Sequence, residues 1–182
     1  MKNLITFLAI IFLALGVKAQ TALETAVLKE LNSYRTKIHL CTLKLDNKLS
    51  DVSAHHSKYL SILYSMGKAD HTHDEVIDIP NWKEIKFEKR ASEFDRLNQG
   101  KHLSKGEIQI TSATVPEGSS NDIVAKKIIK MFHDSKPHRE IMTSDYDTEF
   151  NIPIVGISVI KSKIPGSDVY TVTIDFGAEE IN

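Results

Sequence analysis

The chain has 182 residues, with 23 basic and 24 acidic side chains, and its formal net charge at pH 7 is −1 with histidine neutral. This balance shows none of the basic bias of nucleic-acid-binding proteins. The chain contains one cysteine, Cys41, which excludes an internal disulfide, so the fold depends on its hydrophobic core. Since Cys41 lies between Leu40 and Leu43, we expect a small buried apolar residue rather than a reactive thiol.

Residues 1–19 have the three features of a secretory signal peptide: an early lysine, a mostly apolar run over 4–15 and small residues before a cleavage point after Ala19. The run is shorter than the roughly 20 residues of a membrane span. An uncleaved membrane anchor is the alternative interpretation. We expect Gln20 to be the first mature residue, with 20–182 forming one domain of a secreted (extracellular or periplasmic) monomer.

Hydrophobic periodicity predicts four helices. The first starts at the Thr21 capping box, and the second starts at Asp46 and ends near Gly67. The third spans 81–97, and the fourth follows the Ser120 region and breaks at Pro137. Because the residue before a proline is pushed away from helical geometry, we expect the bend at Lys136. The charged stretch 83–105 is interpreted as a solvated face, and His56, on an apolar helix face, as a hydrogen-bonded core histidine.

Alternating patterns predict the strands. A short extended piece covers 42–45, and 106–110 is a strand in which Ile108 and Ile110 alternate with Glu107 and Gln109. Glu107 should therefore face away from the core. The segments 154–160 and 169–176 form a closing hairpin. Helices packed on an antiparallel sheet define the α+β class.

Three stretches could carry chemistry and could meet in one cleft: 71–73, 131–142 and Gly106-Glu107-Ile108 at the start of the predicted strand. The loop His71-Thr72-His73, flanked by acids, could bind metal or could be a polar exposed loop. The segment 131–142 presents His138 directly after the proline bend, which restrains its backbone. The chain has no G-x-S-x-G elbow, H-E-x-x-H zinc helix, phosphate loop or dinucleotide-binding glycine motif.

Several short motifs, taken in order, resemble one family across nearly the whole mature chain. They are L-N-S-Y-R at 31–35, L-x-x-x-S-x-x-H-S-x-x-L at 49–60, H-T at 71–72, G-E-I at 106–108, S-K-P-H-R at 135–139, V-G-I at 155–157 and D-F-G at 175–177. This pattern resembles the CAP superfamily of cysteine-rich secretory proteins, antigen 5 and pathogenesis-related 1 proteins, also called SCP-like. With its single cysteine, the chain resembles the cysteine-poor bacterial-type branch of this superfamily.

The resemblance implies a three-layer α-β-α sandwich with a central antiparallel sheet. It also implies a cleft lined by two histidines and one or two glutamates, which here correspond to His71, His138 and Glu107. The family's second glutamate is replaced by Ser135, so either Asp134 or Ser135 is left to complete the cleft.

Three functions are open at this point. The first is a non-catalytic extracellular binding module whose cleft holds a divalent metal, a lipid or a peptide. The others are a zinc-dependent hydrolase and a cell-envelope interaction domain with a purely structural cleft. An enzyme is less favoured, because no serine or cysteine is visibly paired with a histidine. We predict weak, reversible zinc binding by His71, Glu107 and His138, lost in His71→Ala and His138→Ala and little affected in His73→Ala.

Overall fold

A computed structural model describes residues 21–68, 73–75, 79, 89–90, 92, 102–145 and 151–180, with the backbone alone at 102–105, 151 and 180. The predicted signal peptide, Gln20, His71 and most of the predicted helix over 81–97 lie outside these residues; residues 89, 90 and 92 are helical. The elements are α1 (Ala22–Lys37), β1 (Lys44–Leu45), α2 (Asn47–Ser65), β2 (His102–Pro116), α3 (Asn121–Asp134), α4 (Lys136–Met142), β3 (Asn151–Ile164) and β4 (Ser167–Glu180). No helix within the described ranges is long and apolar enough to cross a membrane.

The helices begin at the predicted capping residues. The Thr21 hydroxyl accepts a hydrogen bond from the Glu24 N–H at 3.2 Å, and the Glu24 carboxylate accepts one from the Thr21 N–H at 2.9 Å, a complete capping box. Asp46 caps α2 by accepting from the Leu49 N–H at 2.7 Å. Gly67, with φ of 67°, follows the end of α2 in the left-handed conformation predicted for it.

The four strands form one sheet in the order β1-β3-β4-β2. β3 and β4 form the predicted hairpin, and β2 pairs antiparallel with β4. β2, β3 and β4 are longer than predicted, whereas β1 is shorter than the extended piece expected over 42–45. The sheet is also mixed rather than purely antiparallel, because β1 pairs parallel with β3 through Lys44 and Leu45. A parallel pair needs a long connection between its strands, and here the chain from α2 through α4 separates β1 from β3.

Helices cover both faces of the sheet, which confirms the predicted α+β sandwich. On one face, residues such as Val27 of α1 and Phe132 of α3 pack in the main apolar core against Ile108, Val172 and other inward residues of the strands. On the other face, α2 packs on β3 and β4.

The contact between α2 and β3 is very close. A Cβ atom added to Gly156 would lie 2.3 Å from the backbone carbon of Leu49, so only glycine fits there. The Ser57 hydroxyl also donates to the Ser158 carbonyl oxygen at 3.3 Å. α2 therefore lies almost directly on the backbone of the strand.

Side chains occupy part of the outer edge of β3. Within the described ranges, β1 pairs with β3 only at Ile154 and Val155. Beyond that point the Ile157 N–H donates to the Ser50 hydroxyl at 3.2 Å, and the Val159 N–H donates to Glu24 at 3.4 Å.

The bend after α3 falls one residue earlier than predicted. Ser135 is extended, with φ of −88° and ψ of 118°, whereas Lys136 already belongs to α4. Pro137 occupies the first turn of α4, where its missing N–H and fixed φ are tolerated.

A buried arginine joins the ends of α1 and α4. Arg35 is fully buried and donates to the carbonyl oxygens of Cys41, Met142 and Ser144, each at 2.9 Å. The Cys41 sulfur lies 3.6 Å from this guanidinium. Cys41 is only partly buried, so it is not the fully buried apolar residue that the sequence predicted.

Candidate functional site

The face of the sheet beneath α2 carries polar side chains. Alternation along β2 directs Ile108 into the apolar core and Glu107 to the opposite face, as predicted. That face is not open to water, since Glu107 is only 3% exposed. Glu107 lies opposite Asp175 of β4 in the strand register.

His56 connects α2 to this face. Its Nδ1 lies 3.2 Å from Glu75 Oε1, and its Nε2 lies 2.5 Å from Gln109 Oε1. Its ring stacks on Tyr59 with centroids 5.8 Å apart. The prediction of a hydrogen-bonded core histidine is confirmed. The neighbouring His55 adds a contact of 3.2 Å from its Nε2 to the other oxygen of Glu75.

Arg90 lies between two buried carboxylates. Its Nη1 donates to Glu75 Oε1 at 3.1 Å, and its Nη2 lies 3.2 Å from each oxygen of Glu107. The same Nη2 donates to the His73 carbonyl oxygen at 2.6 Å. Arg90 thus ties residues 73–75 to β2 by charge-assisted hydrogen bonds. We call His56, His73, Glu75, Arg90 and Glu107 the charged cluster.

Two partly exposed imidazoles lie at the solvent side of the charged cluster. His73 Nδ1 lies 2.7 Å from Glu107 Oε1, and the His73 side chain is 38% exposed. His138 packs edge-on against Phe132 with ring centroids 5.4 Å apart. Burial lowers the pKa of His138, and the positive charge of the nearby His73 lowers it further.

The surroundings shift the pKa values of the two facing acids of β2 and β4 in opposite directions. Burial opposes ionisation of Glu107, but the hydrogen bond from His73 and the charges of His56 and Arg90 outweigh it and lower the pKa of Glu107. Burial raises the pKa of Asp175 well above its usual range, and the charge of Glu107 adds to this effect. The Ser53 hydroxyl donates to Asp175 at 2.5 Å. The fold therefore disfavours ionisation of Asp175 and favours ionisation of Glu107.

The predicted site residues are only partly placed by the structure. Glu107 belongs to the charged cluster, and His138 is near enough for the charge of His73 to lower its pKa, while His71 is outside the described residues. Asp134 is exposed and pairs with Lys130 at 2.5 Å, and this hydrogen bond lowers the pKa of Asp134. Asp134 is therefore engaged at the surface of α3.

The charged cluster is a poor fit for a metal ion. In the part of the chain that the structure describes, no group of three His, Cys, Asp or Glu side chains is arranged to hold one. Both oxygens of Glu107 face Arg90, so a metal bound there would have to displace a guanidinium. Whether His71, Glu107 and His138 share zinc stays a prediction.

Sequence reasoning missed four residues that organise this face: Glu75, Arg90, Gln109 and Asp175. The interpretation of 83–105 as a solvated face does not hold for Arg90, which is buried. A usable signal was present in the strands, where polar residues at every second position, such as Glu107 and Gln109, interrupt large apolar ones. That pattern also arises when a second helix layer buries the polar side of a sheet.

A separate surface groove of about 330 Å³ lies between α1 and α3 and shares no residue with the charged cluster. Its lining combines lysines and acids, namely Lys29, Lys37, Lys126, Glu30 and Asp122. This mixture is typical of a solvated helix surface.

No protein-family model and no curated protein matches this chain. Among solved structures, the chain is similar to an outer surface protein from Borrelia burgdorferi, with a TM-score of 0.47 and 16% identity over 83% of this chain and 90% of that one. It is also similar to an extracellular SCP-domain protein from Bacillus anthracis, with a TM-score of 0.45 and 18% identity. That match covers 84% of this chain but 39% of the other. Both likenesses are distant.

Proposed function

We propose that this protein is a secreted, non-catalytic binding module of the CAP type, with its ligand site around Glu107 and the partly exposed imidazole of His138. The observation that carries the proposal is the internal pairing of the charged cluster. Glu107 is held by Arg90 and His73, and Glu75 by Arg90 and the histidines of α2. A carboxylate held in this way is not poised as a general base, which a hydrolase would require.

The imidazole of His138 defines what the site can bind. The lowered pKa of His138 favours a neutral ring at pH 7, which can ligate a metal or exchange hydrogen bonds with a peptide or lipid headgroup. We place a divalent metal first, because neutral imidazoles are ligands that zinc prefers. The proposed zinc ligands are His71, His138 and Glu107. Binding should be weak, because Arg90 competes for Glu107.

Zinc titration by calorimetry tests the site. Wild type should bind zinc reversibly, and His71→Ala and His138→Ala should lose binding with the fold intact. His133→Ala is a matched control, because His133 lies on the preceding helix and contacts Tyr34. Affinity should decrease as pH falls through about 6.5, where free histidine protonates. Because the pKa of His138 is lowered, its own contribution should persist to a lower pH.

Equal zinc affinity in wild type and in both histidine variants would eliminate the metal site, and peptide or lipid ligands would then be screened against His73→Ala and His138→Ala. If the zinc-loaded protein hydrolyses an ester or peptide substrate and His138→Ala abolishes this activity, the protein is a hydrolase rather than a non-catalytic binding module.

Export is the second part of the proposal. The apolar run over 4–15 and the small residues before Gln20 motivate it. Mass spectrometry of the exported protein should show Gln20 as the first residue. Intact Met1 in the exported fraction would contradict signal cleavage.

A further inference from the structure

We propose that the mature protein has a cyclic N-terminus, in which Gln20 has closed to pyroglutamate, and that this ring protects the capping box of α1 from aminopeptidases. The inference rests on the signal cleavage after Ala19 that belongs to the proposed function. It concerns a modification site at the start of the domain and does not involve the ligand site.

The chemistry takes place within one residue. Cleavage after Ala19 would release the α-amino group of Gln20, whose own side chain ends in a primary amide. The amine nitrogen attacks the carbonyl carbon of this amide, the bond from that carbon to the amide nitrogen breaks, and ammonia leaves. The product is an uncharged lactam ring, and no oxidant, reductant or second substrate is needed. Because both reacting groups belong to the same residue, the reaction benefits from the high effective concentration of an intramolecular step.

The capping box of α1 follows Gln20 directly. The Thr21 N–H, which belongs to the peptide bond between Gln20 and Thr21, donates to Glu24 Oε2 at 2.9 Å. The Glu24 N–H donates to the Thr21 hydroxyl at 3.2 Å. Thr21 is exposed, so an exopeptidase could reach the start of the box. Removal of Gln20 and Thr21 from an unblocked chain would eliminate it.

The loss would also reach the sheet. The second oxygen of Glu24, Oε1, accepts a hydrogen bond from the Val159 N–H of β3 at 3.4 Å, and Glu24 is only 5% exposed. The capping box therefore helps to hold the carboxylate that contacts β3. An aminopeptidase acts on a free α-amino group, which the lactam lacks. Cyclisation of Gln20 would thus preserve both the start of α1 and its contact with the strand.

Mass spectrometry of the N-terminal peptide from the exported protein tests the ring. Its mass should be lower than that of the linear peptide by one ammonia molecule, and stepwise N-terminal sequencing should be blocked. Gln20→Asn is the matched control, because asparagine also has an amide but would have to close a smaller, strained ring. Its N-terminus should stay linear and open to sequencing. A linear Gln20 that persists after prolonged incubation at neutral pH would overturn the inference.

Digestion with a purified aminopeptidase tests the protection. The wild-type protein should keep Thr21, whereas Gln20→Asn should be shortened past Thr21 and should then melt a few degrees lower, as expected for loss of a helix cap. Equal shortening of both proteins would overturn the protective role. An exported protein that begins at Met1 would refute signal cleavage and this inference together, whereas a linear Gln20 would refute the ring alone.

Discussion

Asp175 shows how the fold shifts the pKa of a single residue. Its pKa is raised, by burial and then by Glu107, so folding favours its protonated form. Its contribution to stability is therefore complete below the unfolded pKa near 3.8 and is lost as pH rises through the folded pKa. The effect of pH on the contribution of Glu107 is the opposite. Because its pKa is lowered by folding, Glu107 stabilises the protein at pH values above its unfolded pKa, and this stability is lost as pH falls.

Asp175→Asn should therefore be at least as stable as wild type at pH 7, and its relative advantage should shrink as pH falls toward 4. The asparagine cannot ionise and retains an oxygen to accept from the Ser53 hydroxyl. Glu107→Gln is the control and should destabilise the protein more at pH 7 than at pH 4. Urea unfolding at both pH values measures the difference. A loss of stability in Asp175→Asn that is larger at pH 7 than at pH 4 would contradict the assignment.

At this scale the sequence is informative where a local pattern decides the outcome. The alternation along β2 correctly turns Glu107 away from Ile108, and the apolar face of α2 identifies His56 as a core histidine. Arg90 could not be recognised, because its burial depends on carboxylates 15 and 17 residues away in the chain that only the tertiary fold brings to it.

At the scale of elements, the glycines of the sheet are not equivalent. Gly156→Ala would place a Cβ 2.3 Å from the Leu49 backbone, which can move only if all of α2 moves. We expect a loss of about 3 kcal/mol or more in the free energy of unfolding. Gly106→Ala is the matched control: its Cβ would lie 3.2 Å from the Ile141 side chain, which can adjust, so the cost should stay below about 1 kcal/mol.

Chemical denaturation of both variants tests this difference. Similar losses in the two would mean that α2 can shift on the sheet. Retained stability in Gly156→Ala would show that the close contact between α2 and β3 is not required.

Element ends were predictable where a side chain terminates them, and strand lengths were not. Thr21, Asp46 and Gly67 mark helix ends through their own chemistry. β2 extends well beyond 106–110 because its pairing with β4 continues past bulges near Ser104 and Ile110. These bulges interrupt the alternation of apolar and polar residues from which a strand is predicted. The expected bend at Lys136 was displaced to Ser135 because proline is accommodated in the first turn of α4.

In the molecule as a whole, the two sides of the sheet have different physical characters. The side covered by α1 and α3 is a continuous apolar core, while the side covered by α2 combines small apolar clusters with the charged cluster. Apolar packing tolerates substitutions of similar volume, whereas a buried charge that loses its partner costs several kcal/mol. The α2 side should therefore be the less tolerant of substitution.

The side chains along β3 also bear on how copies of this chain behave toward one another. An uncovered strand edge can template pairing with the edge of a second molecule, the first step toward fibrils and other aggregates. Here the Ser50 hydroxyl accepts a hydrogen bond from the Ile157 N–H, and the Glu24 carboxylate accepts one from the Val159 N–H. Lys161 and Lys163 follow along the same strand. The Glu24 carboxylate, which completes the capping box of α1, thus also protects the sheet against self-association, so folding of α1 and colloidal stability depend on the same side chain.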